Sequence, residues 1–246
     1  MPWLFCPLLW AGCSFGGEEA GGSFLYQPSF RMDHLLRGPA RPYAPQPGDL
    51  VFSTTESAFM RAAHHLAGAA DPHHSGIVVA RSDGRLAVLE AGPHNTLHVE
   101  LIDVLPHLQS YARSQRVWVR RRRVPLTPEQ SARLTAFAEA QDGKRFAWGR
   151  LLVQLTPLRS RGPLRTRFVG RPHGERRSYF CSELILEACV AAGLLDPAVV
   201  RPAATYPRDL FFDRSPNPYL DRTLKLGDCW EPPARWTRCP DPAAGP

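Results

Sequence analysis

The sequence predicts an α+β domain in which an antiparallel sheet packs against helices. Three observations point there: short β-branched runs separated by turn residues between positions 47 and 121, helical periods after Thr127 and after Cys181, and a length of 246 residues. One hydrophobic core can keep growing to roughly 250 residues, so one domain and one active site are expected.

Pro47-Gly48-Asp49-Leu50-Val51-Phe52 reads as a turn feeding a buried strand. From Ser57 to Ala69, Phe59, Met60, Ala63 and Leu66 recur at helical spacing, with Gly68 near the end. The runs 75–80, 86–91, 96–101 and 116–121 then read as strands, with Asp83-Gly84 and Gly92-Pro93 as turns, and suggest a meander. Thr127-Pro128-Glu129-Gln130 joins an N-cap Thr, a Pro at the first helical position and a Gln that can close a capping box. The helix it opens runs to about Gln141 and stops at Gly143. Residues 155–177 carry Arg, Pro and Gly without a period and read as a long surface loop beside the site. After Tyr179-Phe180-Cys181, the stripe Leu184, Ile185, Ala188, Cys189 and Ala192 marks a helix ended by Gly193.

The ends differ from the middle. Residues 1–46 and 214–246 are rich in Gly, Pro and Ala without sustained periodicity, so they read as an N-terminal arm and a Pro-rich tail around a domain spanning 47–213. The apolar N-terminus Met1 to Cys13 is too short to span a bilayer as a helix. It resembles the end of a bacterial lipoprotein signal with Cys13 as the lipidated residue, although Trp10 replaces an aliphatic residue and no Lys or Arg precedes the apolar run. A frayed N-terminus is the alternative reading. The expected location is the bacterial cell envelope, with the cytoplasm as alternative.

Six cysteines are too sparse for a disulfide-built scaffold. Cys229 and Cys239 flank Trp230-Glu231-Pro232-Pro233 and can pair in an oxidising compartment, while Cys189 reads as a small core residue. The net charge of +7 favours anionic surfaces. The cluster Arg120 to Arg123 closes Val117-Trp118-Val119 without a nucleic-acid motif and reads as a solvated strand end, so nucleic acid is not an expected partner.

Chemistry concentrates at three residues. Cys181 opens an amphipathic helix, where unsatisfied N–H groups and the helix dipole favour a thiolate and can hold an oxyanion. His74 stands at the mouth of a strand, and Glu90 ends the next, so antiparallel pairing brings them together. A nucleophile needs a base, and the base an orienting partner; Cys181, His74 and Glu90 supply the three roles. Read singly, each is as readily structural. His73 falls on the opposite strand face from His74 and is not the expected base. His64-His65, His73-His74, His94 and His98 would suit a metal hydrolase, but none of these spacings is a ligand motif. No phosphate-cradling Gly loop or dinucleotide fingerprint is present, and neither metal nor cofactor is expected.

Pro47 to Phe52, His74-Ser75-Gly76-Ile77-Val78, Glu90-Ala91 and Tyr179-Phe180-Cys181-Ser182-Glu183-Leu184 stand in the order of the motifs of the YiiX/YebB-like permuted NlpC-type family, which they resemble. The resemblance covers about residues 47–213 and includes Tyr206-Pro207-Arg208-Asp209-Leu210. It implies a circularly permuted papain-like fold with Cys181 as nucleophile, His74 as general base and Glu90 as the polar third member. Tyr179 and Ser182 become candidate oxyanion or substrate contacts. Gly143-Lys144-Arg145-Phe146-Ala147 departs from that family's Gly-x-x-Tyr-Asp pattern. The implied activity is hydrolysis or acyl transfer at an amide or ester through an acyl-enzyme, on a peptide, cell-wall or lipid substrate, with association at a membrane surface. A catalytically silent lipid- or peptide-binding module is the alternative of a different class.

Overall fold

In the computed structural model the described residues are 22–33, 35–54, 58–66, 69–114, 116–154, 156, 166 and 176–238. Alternation and capping shape what is seen. The strands are β1 (Phe24–Tyr26), β2 (Ala40–Pro42), β3 (Leu50–Ser53), β4 (His74–Ala80), β5 (Leu86–Ala91), β6 (Val99–Asp103), β7 (Val117–Arg120), β8 (Arg145–Phe146), β9 (Ser178–Tyr179) and β10 (Ala234–Thr237). The helices are α1 (Ala58–Leu66), α2 (Val104–Ser114), α3 (Pro128–Gln141), α4 (Trp148–Gln154), α5 (Cys181–Ala191), α6 (Pro207–Phe212) and α7 (Pro218–Thr223).

Eight strands form one sheet in the order β2-β1-β10-β7-β3-β4-β5-β6, with every neighbouring pair antiparallel. β3 to β6 are the expected meander. β7 instead crosses back to pair with β3, so the meander ends there. β8 and β9 form a separate parallel pair. The protein is thus α+β, an antiparallel sheet packed against helices.

The sheet is covered on both faces, which explains why β4 and β5 are buried on nearly every residue. Ile77, Val79, Ala87 and Leu89 pack with Leu134 and Ala138 of α3 and with Leu184, Ile185 and Ala188 of α5. Val78 and Val88 pack on the other side with Val104, Leu108 and Tyr111 of α2. Each fully buried aliphatic side chain of this kind contributes roughly 1.5–3 kcal/mol, so the two layers fix the strand register. The capping box of α3 forms as read: Thr127 Oγ1 accepts from Gln130 N at 3.2 Å, and Thr127 N donates to Gln130 Oε1 at 3.1 Å.

Three expectations are corrected. The segments read as loose arms supply three strands of the main sheet, because β1 pairs with β10 and β10 with β7. The same C-terminal segment puts Leu220, Leu224, Leu226 and Trp230 into the core. Arg120 is no solvated strand end: it is buried, donating to Glu231 O at 2.9 Å, Leu210 O at 2.6 Å and Asp213 Oδ2 at 2.9 Å. Arg122 stacks on Trp230, 4.5 Å from the ring centroid. Cys6, Cys13, Cys239 and most of 155–177 lie outside the described residues, and with them the lipidation, the pairing with Cys229 and the surface loop.

Candidate active site

α5 starts at Cys181 because Phe180 is extended (φ −85°, ψ 160°) and Glu183 reaches back to the Phe180 amide at 3.4 Å. The rest of the Cys-Ser-Glu-Leu segment fixes this helix end. Ser182 Oγ donates to Thr205 O at 2.6 Å. Glu183, fully buried, pairs with Arg150 at 2.6 Å and Arg176 at 3.0 Å. Leu184 packs in the core. Tyr206-Pro207-Arg208-Asp209 starts α6, with Asp209 Oδ2 accepting from Tyr206 N at 2.8 Å.

The Cys181 thiol is buried and donates to the His73 carbonyl at 3.7 Å. Its sulfur therefore lies against the peptide that joins His73 to His74. Burial pushes the thiol up to about 11, and the hydroxyl and amide of Ser75 and the amide of Ser182 oppose that only in part. The helix terminus, expected to favour a thiolate, is outweighed here by desolvation. The resting group is a neutral thiol. Iodoacetamide labelling of the folded protein is accordingly expected to modify the half-buried Cys229 ahead of Cys181 at neutral pH, with the Cys181 rate climbing between pH 9 and 11. Peptide mapping reads both sites. The same shift withdraws stability in that window: the unfolded thiol ionises near 9.0 while the folded one stays protonated, so folding is progressively disfavoured as pH rises through it.

His74 and Glu90 are brought together as read. Gly76 faces Glu90 across the β4–β5 ladder, and His74 Nδ1 lies 3.5 Å from Glu90 Oε1. A Cβ on Gly76 would stand 2.5 Å from Val88 Cγ1, so glycine is what lets the two strands approach beside Glu90. Burial holds the His74 imidazole below its ordinary value, against the pull of Glu90, so it rests neutral. Burial alone would raise Glu90; the His107 hydrogen bond and charge, with His74 and Tyr111, bring the carboxyl below its ordinary value.

Sequence reading missed the groups that hold Glu90. His107 Nε2 lies 2.8 Å from Oε2, and the Tyr111 hydroxyl donates to Oε1 at 2.8 Å. Both come from α2, and His94 stacks on Tyr111 with centroids 4.5 Å apart. A helical pattern over 104–114 would have exposed them, but Pro106 interrupts its apolar run.

The thiol and the His74 ring do not share a hydrogen bond among the described residues. Ser75 shares with Ile77 the β4 face toward α5, whereas His74 and Glu90 turn toward α2. The two groups approach the start of β4 from its two sides. His73 falls, as expected, on the face opposite His74, and that is the face of Cys181. Its Nδ1 lies 2.8 Å from Asp71 Oδ1, and its ring is 4.7 Å from that of His64 on α1. Cys181, His73 and His64 line one small pocket, which Phe146, Phe180 and Pro207 make largely apolar.

One candidate contact, Tyr179, is corrected, and Ser182 keeps only its amide at the site. The Tyr179 hydroxyl is buried and donates to Gln141 Oε1 at 2.9 Å, which removes it from the thiol. Ser182 faces the sulfur through its amide, its hydroxyl being committed to Thr205. Among the described residues, no group of three or more His, Cys, Asp or Glu is arranged to hold a metal ion.

Fold and site together define an α+β protein with a buried helix-terminal cysteine beside a histidine-carboxylate network. No family model matches the chain, and no curated protein matches it. Among solved structures it is similar to the metalloprotein yiiX from Escherichia coli O157:H7, at 21% identity over 61% of this chain and 67% of that one, with a TM-score of 0.41.

Proposed function

We propose that this chain is a cysteine-dependent hydrolase or acyltransferase of the permuted papain-like kind. The observation that carries the reading is the contact of the Cys181 sulfur with the His73–His74 peptide while Glu90 flanks the His74 ring. Because thiol and imidazole both rest neutral, attack is base-assisted and does not start from a stored ion pair. For the transfer the thiol leaves the His73 carbonyl and meets the His74 imidazole around the mouth of β4, a closure that unliganded catalytic groups commonly await.

The sulfur then bonds to the carbonyl carbon as its proton passes to His74, and Glu90 stabilises the imidazolium. The carbonyl electron pair becomes an oxyanion facing the Ser182 amide. Its return breaks the amide or ester bond, and the leaving amine or alcohol takes the proton from His74. Water, or an acceptor alcohol, resolves the thioester.

Incubation with an activated acyl ester followed by peptide mapping tests this. A thioester on Cys181 that hydroxylamine removes is the expected product. A silent binding module of the same fold is favoured by one observation, the burial of the Cys181 thiol, which disfavours its thiolate; it would give an unmodified Cys181 with probe bound reversibly.

A further inference from the structure

We propose that the groove between Leu97 and α4 docks on an anionic lipid surface and feeds ester-linked acyl chains to Cys181. The docking part stands on the surface alone. The substrate class rests on the reading of Cys181 as a nucleophile and deepens it.

The groove is lined by Leu97, Arg145, Phe146, Trp148, Arg150 and Val153, with His98 and Ser178 at its rim. Leu97 is 51% exposed, Trp148 38%, Leu152 61% and Val153 43%, in a chain that buries its other described tryptophans. Single exposed apolar residues need no explanation, but this group is contiguous along one short helix and the groove edge facing it. The groove adjoins the nucleophile's pocket, with Phe146 lining both. Phe146 meets Trp148 edge-on at 5.5 Å and Phe180, the residue before Cys181, at 6.2 Å. An aromatic path therefore runs from the exposed patch to the sulfur, through walls that offer an acyl chain contact and a peptide backbone few partners.

Charge selects a lipid surface over a protein partner. No carboxylate lines the groove among the described residues, while the exposed Arg145 does, with Arg150, already paired with Glu183, at its side. The chain as a whole carries a net charge of +7. Tryptophan with arginine beside aliphatic residues is the composition that settles at an anionic membrane interface.

Co-sedimentation of the full chain with sucrose-loaded vesicles tests the docking. Wild type is expected to partition onto phosphatidylglycerol-containing vesicles and to stay largely free of pure phosphatidylcholine. Its fluorescence should shift to the blue on binding, a shift lost in Trp148→Phe. The double variant Leu152→Glu, Val153→Glu should partition at least about tenfold less while its melting temperature and circular dichroism stay unchanged. Equal partition of that variant, or no binding to either vesicle, overturns the docking surface. So does a wild-type dimer that the same variant disperses, since the face would then belong to a second copy.

Substrate class is read separately. A Cys181 thioester carrying a fatty acyl chain from vesicle phospholipid supports it. A thioester from soluble esters only overturns it, and no thioester from either overturns the nucleophile reading while the partition result still decides the docking.

Discussion

Cys181→Ala is expected to lose at least about a thousandfold in turnover while keeping the fold, because removing a nucleophile leaves only what binding and oxyanion donors supply. Little else depends on the sulfur. It donates one long hydrogen bond, to a carbonyl that also lies at the start of a strand held by its ladder. The vacated volume is that of one atom, so destabilisation of about 1 kcal/mol is expected, read as a small shift in a urea midpoint. His74→Ala should follow it, losing at least about a hundredfold. Its fold is expected to survive because Glu90 keeps His107 and Tyr111 as partners. Full turnover by Cys181→Ala would remove the thiol from the chemistry altogether. Normal turnover by His74→Ala together with loss in His73→Ala would assign the base to the imidazole that shares the thiol's pocket.

The central strands could be read because each is a run of apolar residues bounded by turn chemistry, and α3 because Thr127, Pro128 and Gln130 announce its start. β1, β2 and β10 could not. Each is three or four residues long, and Phe24-Leu25-Tyr26 finds its partner in Arg235 to Thr237, more than two hundred positions away. A window that short holds no period, and a pairing that distant leaves no local trace. The Pro and Gly around these strands look like a linker until the partner is known.

The same limit shaped the site. Glu90 was legible because it follows from the adjacency of two strands, a local matter. Its holders on α2 were not, since they meet it from a helix whose pattern Pro106 obscures. The thiolate expected at the head of α5 followed from the helix dipole alone. Sequence carries no measure of burial, and burial is what governs the thiol.

Arg120 shows how far the C-terminal segment belongs to the domain, and its replacement carries the largest expected cost in stability. Its guanidinium, with 2% of its side chain exposed, supplies donors to Leu210 O in α6, to Asp213 Oδ2 and to Glu231 O before β10. One side chain thus joins the edge of β7 to three points of the chain beyond residue 209. Arg120→Ala would leave a buried carbonyl, a part-buried carbonyl and a carboxylate short of their donor, and a cavity where its buried side chain stood. Removing one partner of a buried charged network costs about 3–5 kcal/mol. For a domain of this size that lowers the melting temperature by roughly 10 °C. Arg120→Lys, with a point charge that cannot span three acceptors, should recover only part of it. Hydrogen exchange gives the spatial signature: amides of β10 and of the Trp230 segment should lose protection in Arg120→Ala before those of β4 and β5. If 214–246 were an unattached tail, both variants would melt with the wild type and β10 would already exchange freely.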